Sequence, residues 1–187
     1  LIMFKNLATS DDWMVFTYRL TSLNEMNLNE NHASTVTNVF NDTNPTSTVF
    51  SVGAENATNK SGDAIIAYCF HDVDGFSKFD SYEGNNLDNG TYVYTGFRPM
   101  LVVVKNIDST GEWRLQDTKR TLYNYDDIEV LTWNNPIAEY STDRDDLDLD
   151  FLANGFKHRS NYSQANAVSS YDYIAFAETP FKYANAR

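Results

Sequence analysis

One cysteine, four prolines and eight glycines in 187 residues leave little room for several architectures. The lone Cys69 has no intrachain disulfide partner and no Cys/His spacing matches a zinc site, so stability is expected from burial rather than from staples. Scarce glycine and proline exclude collagen-like and low-complexity chains. The longest apolar runs, residues 64–70 and 100–104, fall far short of the ~20 residues of a membrane-spanning helix. Cations are scarce as well: 14 Lys and Arg stand against 26 Asp and Glu, a net charge of −12 whose field repels phosphate backbones. Neither nucleic-acid binding nor membrane insertion is expected. The opening Leu1-Ile2-Met3-Phe4 carries no basic flank and no small-residue cleavage site, so it is not an intact signal peptide.

Apolar and aromatic residues, in contrast, are plentiful. A hydrophobic content of 42%, with 12 Tyr, 12 Phe and 3 Trp, excludes disorder and supplies a core. Runs such as Trp13-Met14-Val15-Phe16-Thr17-Tyr18, Thr91-Tyr92-Val93-Tyr94-Thr95 and Tyr171-Asp172-Tyr173-Ile174-Ala175-Phe176 are β-branched or aromatic and bounded by turn formers, which predicts strands. Helical spacing is rare, residues 126–133 being the one candidate for a helical turn. Residues 24–47, rich in Asn, Ser and Thr, read as short strands joined by loops.

The chain repeats itself. Leu1-Ile2-Met3-Phe4-Lys5-Asn6 is answered one hundred positions later by Leu101-Val102-Val103-Val104-Lys105-Asn106, and Trp13 by Trp113, each Trp preceded by a polar turn. Strand, turn and Trp-bearing strand thus recur as a hairpin used twice. Residues 63–70 match residues 171–178 at an offset of about 108, and each run is followed by an aromatic-Lys signature, Gly75-Phe76-Ser77-Lys78-Phe79 and Pro180-Phe181-Lys182-Tyr183. The prediction is an all-β fold, a β-sandwich of jelly-roll or concanavalin-like type built from two internally similar halves, 1–95 and 96–187. The halves form one compact domain or two packed sandwiches. Gly96-Phe97-Arg98-Pro99 leads into Leu101, but the first half begins at the equivalent of Leu101; sequence preceding Leu1 is the expectation.

Several motifs in order, Ala67-Tyr68-Cys69-Phe70-His71, Asp74-Gly75-Phe76-Ser77-Lys78-Phe79, Thr95-Gly96-Phe97-Arg98-Pro99, Asp150-Phe151-Leu152-Ala153-Asn154-Gly155-Phe156-Lys157 and the stretch from Ala175 to Arg187, resemble a domain without assigned function in virion proteins of marine tailed bacteriophages. The resemblance covers nearly the whole chain. It implies a C-terminal, β-rich domain of a phage structural protein, such as a tail fibre or surface appendage, ending near Arg187 and located on the virion surface. It supplies no catalytic or ligand-binding residues. Asp80, where relatives commonly carry Gly, and the acidic run after Thr142 depart from the pattern and bear on local loop shape only.

Chemistry-bearing patterns are few. Cys69 and His71 share a strand face and invite a thiol–imidazole dyad, but the repeat places Ala177 and Thr179 at the matching positions, which favours a core cysteine. Asp143-Arg144-Asp145-Asp146-Leu147-Asp148-Leu149-Asp150 offers oxygen ligands for calcium without a matching loop, and its alternation favours a strand with a solvated acidic face. Asp72 and Asp74 before Gly75 read as a turn. No hydrolase, metalloprotease or nucleotide signature is present, and no cofactor or metal is expected. Two carboxylates suffice for glycoside hydrolysis, but nothing singles out a pair. Trp13 and Trp113, repeated in both halves, are expected in the core. Trp133, lacking a counterpart and flanked by Asn134 and Asn135, is the candidate ligand-binding trio for a sugar face. The expected function is non-enzymatic: a tail-fibre or appendage module attaching to host-surface glycan. The alternatives are a head-decoration or architectural protein bound to other virion proteins and, less favoured, a glycan depolymerase. Homo-oligomers are expected by analogy with other virion appendages.

Overall fold

The computed structural model describes residues 1–17, 19–120, 124, 129–139 and 148–180. Period-two alternation dominates them, and they form thirteen strands and one helical turn. In chain order these are β1 (Ile2–Asn6), β2 (Met14–Phe16), β3 (Asn24–Asn27), β4 (Thr35–Val36), α1 (Asn56–Asn59), β5 (Ile65–Cys69), β6 (Ser77–Glu83) and β7 (Tyr92–Tyr94). There follow β8 (Pro99–Asn106), β9 (Arg114–Asp117), β10 (Leu131–Thr132), β11 (Leu149–Leu152), β12 (Gly155–His158) and β13 (Ser170–Ala177). The fold is all-β and sandwich-like, as its sequence predicts. No helix among the described residues is long and apolar enough to cross a membrane.

Two five-stranded antiparallel sheets, β4-β3-β2-β1-β5 and β10-β9-β8-β13-β6, and a three-stranded sheet, β11-β12-β7, make up the molecule. In each large sheet a meander is joined by a returning strand beside its first member, giving the 4-1-2-3 order of a Greek key. The two hairpins share one register: Phe4 pairs with Met14 and Ile2 with Phe16 in the first, Val104 with Arg114 and Val102 with Gln116 in the second. The returning strands correspond too, because Asn6 pairs with Ile65 and Asn106 with Tyr171. Here the offset is 171 − 65 = 106, not the 108 of the matched sequence runs, so Cys69 is matched by Ala175.

Side-chain alternation sends each sheet's two faces into different cores. Met3, Val15 and Met26 meet Val103, Trp113, Leu115 and Ile174 in the layer between the large sheets. The opposite face of the first sheet, Ile2, Phe4, Met14 and Phe16, is covered by Val39 and Phe40. That of the second, with Val102, Val104, Tyr171, Tyr173 and Ala175, is covered by the third sheet through Val93, Phe151 and Phe156. β6 and β7 hydrogen-bond within the second and third sheets, so the sheets divide the chain between Cys69 and Ser77 rather than at residue 95.

Some expectations need correction. Only Trp113 is buried in the shared core; Trp13 is half-buried and stacks on Tyr68 at 6.2 Å, because it lies outside the layer that Trp113 fills. Cys69 is exposed rather than a core residue, since β5 is an outer strand. Asp148 and Asp150 are buried rather than solvated: β12 pairs alongside, and Arg159 donates to Asp150 from 2.5 Å. Residues 143–147 of that acidic run, the signature Phe181-Lys182-Tyr183, Tyr18 and residues 126–128 lie outside the described residues. Leu131 and Thr132, within the stretch considered for a helical turn, form a strand instead.

Candidate functional site

Trp133 lies just past β10, 39% exposed, with its backbone N–H donating to the Trp113 carbonyl at 3.0 Å. Asn134 does structural work there: its side-chain oxygen accepts the Trp113 N–H at 2.9 Å and its amide donates to Glu112. The Asn135 carbonyl accepts from the Thr132 hydroxyl at 3.1 Å. The first half holds the same corner. Asn29 accepts the Trp13 N–H at 2.8 Å and donates to Asp12 at 2.7 Å, while the Leu28 N–H donates to the Trp13 carbonyl. Trp133 therefore has a counterpart after all, Leu28, which partly packs into the shared core. An acid, a Trp and a downstream Asn form a clamp that closes the hairpin in each half, and neither half's composition reveals it because the Asn lies 16 or 21 residues away.

A second aromatic surface lies on the solvent face of the third sheet. In β7, Val93 turns inward opposite Phe156, so Tyr92 and Tyr94 turn outward, opposite Lys157 and Gly155. Tyr94 is 64% exposed. Gly155 makes room for this arrangement: a Cβ there would lie 2.1 Å from the Val93 carbonyl oxygen and 3.2 Å from the Tyr92 ring. The Tyr92 hydroxyl donates to the Asn154 side-chain oxygen at 2.8 Å, which anchors the ring at the sheet edge. Two exposed phenol rings, one of them anchored through its hydroxyl, with an amide and an ammonium beside them, form a ledge suited to stacking and hydrogen bonding with a polyhydroxylated ring. The Tyr-Val-Tyr alternation carried the signal for this ledge; the sequence alone does not say which side of it meets solvent.

The buried titratable groups serve the scaffold. Asp172 lines a cleft between the large sheets with Leu1, Thr17, Asp80 and Trp113. It accepts from the Thr17 hydroxyl through one carboxylate oxygen, while the other has no hydrogen-bond partner among the described residues, and desolvation raises its pKa to about 6. Lys105, opposite Asp172 on β8, donates to the carbonyls of His32 at 2.8 Å and Asn106 at 2.7 Å, and burial lowers its pKa to about 8. His158 faces the Tyr82 hydroxyl at 2.8 Å. Because that hydroxyl donates to the Ala165 carbonyl at 2.6 Å, Nε2 of the imidazole is the donor. Desolvation holds the ring neutral, its pKa lowered to about 3. Cys69 and His71 are both exposed, and the His71 Nδ1 pairs with the Asp72 carbonyl at 2.7 Å. Asp72 and Asp74 flank a tight turn, as predicted, with Gly75 at φ 70° and Asp72 accepting the Phe79 N–H. Among the described residues no cluster of His, Cys, Asp and Glu is arranged to hold a metal ion.

These shifts have opposite consequences for stability. Asp172 binds its proton more tightly folded than unfolded, so it favours the native state below pH 4 and that contribution is lost as pH rises through about 6. His158 binds its proton less tightly folded, so stability is lost as pH falls from 6.5 towards 3. Between pH 4 and 6 the two slopes cancel, and the larger histidine shift prevails outside that window. Asp172→Asn should therefore raise stability at pH 8 by on the order of 2–3 kcal/mol, and the gain should vanish at pH 4. Urea denaturation at both pH values measures it; a gain independent of pH would exclude the buried carboxylate as its source.

Neither the curated proteins nor the solved structures contain a match to this chain. A family model described as a domain of unknown function (DUF7483) matches residues 1–180, so the chain belongs to that family.

Proposed function

We propose that the protein is a non-enzymatic attachment module of a bacteriophage particle, borne on a tail fibre or surface appendage, whose third sheet grips a host-surface glycan. The observation that carries this reading is the ledge of Tyr92 and Tyr94 on the open face of the third sheet, with Tyr92 anchored to Asn154 and Gly155 leaving room beside it. The motif resemblance to phage virion domains supports the particle context. Stacked sheets with separate cores suit a passive part that transmits load without moving.

Glycan-array and cell-binding assays test it, with Tyr94→Ala and Trp133→Ala as probes of the two exposed aromatic surfaces. Tyr94→Ala should weaken binding about tenfold, equivalent to roughly 1.4 kcal/mol, at unchanged thermal stability. Absence of glycan and cell binding in the unmodified protein would leave the architectural reading, head decoration through contacts with other virion proteins. Release of reducing ends from host polysaccharide would overturn the non-enzymatic assignment.

A further inference from the structure

The two halves fill one corner differently. In the second half a guanidinium is held there: Nε and Nη2 of Arg114 donate to the Gln164 side-chain oxygen at 3.1 and 2.7 Å, and the group lies over the Tyr162 ring at 5.0 Å. Arg114 is buried.

The repeat identifies the residues at these places in the first half. Met14 matches Arg114 through the shared hairpin register. Asn6 and Asn106 donate to the carbonyls of Asn56 and Ser163, which aligns Glu55 with Tyr162 and Ala57 with Gln164. Asn27 pairs with Met14 and Thr132 with Arg114, so Glu25, two residues before Asn27 on the same face, stands where the second half buries Val130. A cation, an amide, a phenol ring and a valine are thus exchanged for Met, Ala and two carboxylates.

Shorter side chains at 14 and 57 leave a polar cleft, lined by Asp12, Met14, Glu25, Asn27, Glu55 and Ala57 among others. No Lys or Arg among the described residues lines it. The nearest basic groups are engaged elsewhere: the Lys5 ammonium donates to the carbonyls of Thr9 and Asp11, and His32 meets the Asn27 side-chain oxygen at 2.7 Å and the Ala33 carbonyl at 2.6 Å. Glu25 is only 8% exposed. The Thr37 hydroxyl stands near it, but neither that oxygen nor Oε2 of Glu25 makes a hydrogen bond among the described residues. Burial, seconded by the Glu55 and Asp12 carboxylates, raises the Glu25 pKa above the usual carboxylate value. A buried carboxylate with an unused oxygen, facing a cleft shared with other acids, calls for a positive charge. These acids do not form a group able to hold a metal ion. A planar cation with several N–H donors suits a broad site of this kind.

We propose that this cleft binds a guanidinium group supplied by a second molecule, with Glu25 and Glu55 as its carboxylate partners. The first half takes from outside what the second half carries as Arg114. The site lies on the outer face of the first sheet, so it stands whether or not the third sheet's ledge binds glycan.

Methyl-labelled methionine spectra of the 187-residue chain test it, with agmatine as a free guanidinium and acetyl-Gly-Arg-Gly-amide as one borne on a polypeptide. Met14 lines the cleft, whereas Met3 and Met26 lie in the layer between the large sheets, so a saturable shift confined to the Met14 methyl is expected. The probe that binds more tightly identifies the source of the group. The same peptide with neutral citrulline in place of arginine should leave the methyl unmoved. Glu55→Gln, at an exposed position, and Glu25→Gln, which removes a buried charge, should each weaken agmatine binding about tenfold without lowering the melting temperature. Met14→Arg, which rebuilds the arrangement of the second half, should suppress the agmatine response of the Ala57 amide. No saturable shift with either probe, shifts spread over all four methionines, an equal response to the citrulline peptide, or undiminished binding by Glu25→Gln would each overturn the proposal.

Discussion

Trp113→Ala should lower the unfolding free energy by about 3–5 kcal/mol, a large share of the ~5–15 kcal/mol typical of a domain, whereas Trp13→Ala should cost less than about 1.5 kcal/mol. The two residues occupy equivalent places in equivalent hairpins, so composition and local structure cancel from the comparison. What differs is the surroundings. Trp113 is 1% exposed, fills the layer between the large sheets and donates its indole N–H to the Asn27 carbonyl at 2.9 Å, tying β9 to β3. Its removal opens a cavity and takes from the Asn27 carbonyl the shorter of two hydrogen bonds, the Glu30 N–H remaining at 3.3 Å. Trp13 is half-buried against Tyr68 on the side of the first sheet's edge strand. Urea denaturation of both variants decides the matter, and equal losses would show that the shared layer is not the principal core.

Asn166→Ala should cost about 2–4 kcal/mol, against less than about 1 kcal/mol for Asn59→Ala. These residues also correspond, each on a single turn and each donating to the carbonyl six residues earlier at 2.8 Å, Ser160 for Asn166 and Gly53 for Asn59. Asn59 is exposed and makes that one side-chain bond. Asn166 is fully buried, its amide nitrogen also 2.9 Å from the Asn85 side-chain oxygen and the Leu87 carbonyl, and its oxygen accepts from the N–H groups of Asn85 and Thr91. It pins the connection between β6 and β7, where a Cβ on Gly90 would lie 2.7 Å from that same amide. Loosening it frees β7, so the variant should lose glycan binding along with stability. Thermal melts paired with the binding assay test both; full binding in a destabilised protein would mean that the ledge does not depend on this connection.

The duplicated hairpin was legible because its determinants are local. A run of apolar residues ending in Lys-Asn sets each first strand and its turn: the buried side-chain oxygens of Asn6 and Asn106 accept the N–H groups of Ala8 at 2.9 Å and Asp108 at 3.0 Å. The polar Trp-bearing corner follows for the same reason. The strand character of residues 92–94 and 170–177 was equally plain, since β-branched and aromatic alternation fits only a pleated surface. The Asn134 clamp, the partner strand of β13 and the burial of Asp148 and Asp150 were not legible, because each depends on a segment distant in sequence.

By itself the sequence determined that the chain is all-β, that its opening hairpin is used twice, and that stability rests on aromatic burial without disulfides. Tertiary packing decided which of two matched residues is a core residue. Two copies of a motif stacked face to face share one inner layer but acquire different outer neighbours, so Trp113 and Trp13, Asn166 and Asn59, Ala175 and Cys69 part company although their local patterns agree. Burial is a property of what lies across the sheet, and no local pattern in the strand encodes it.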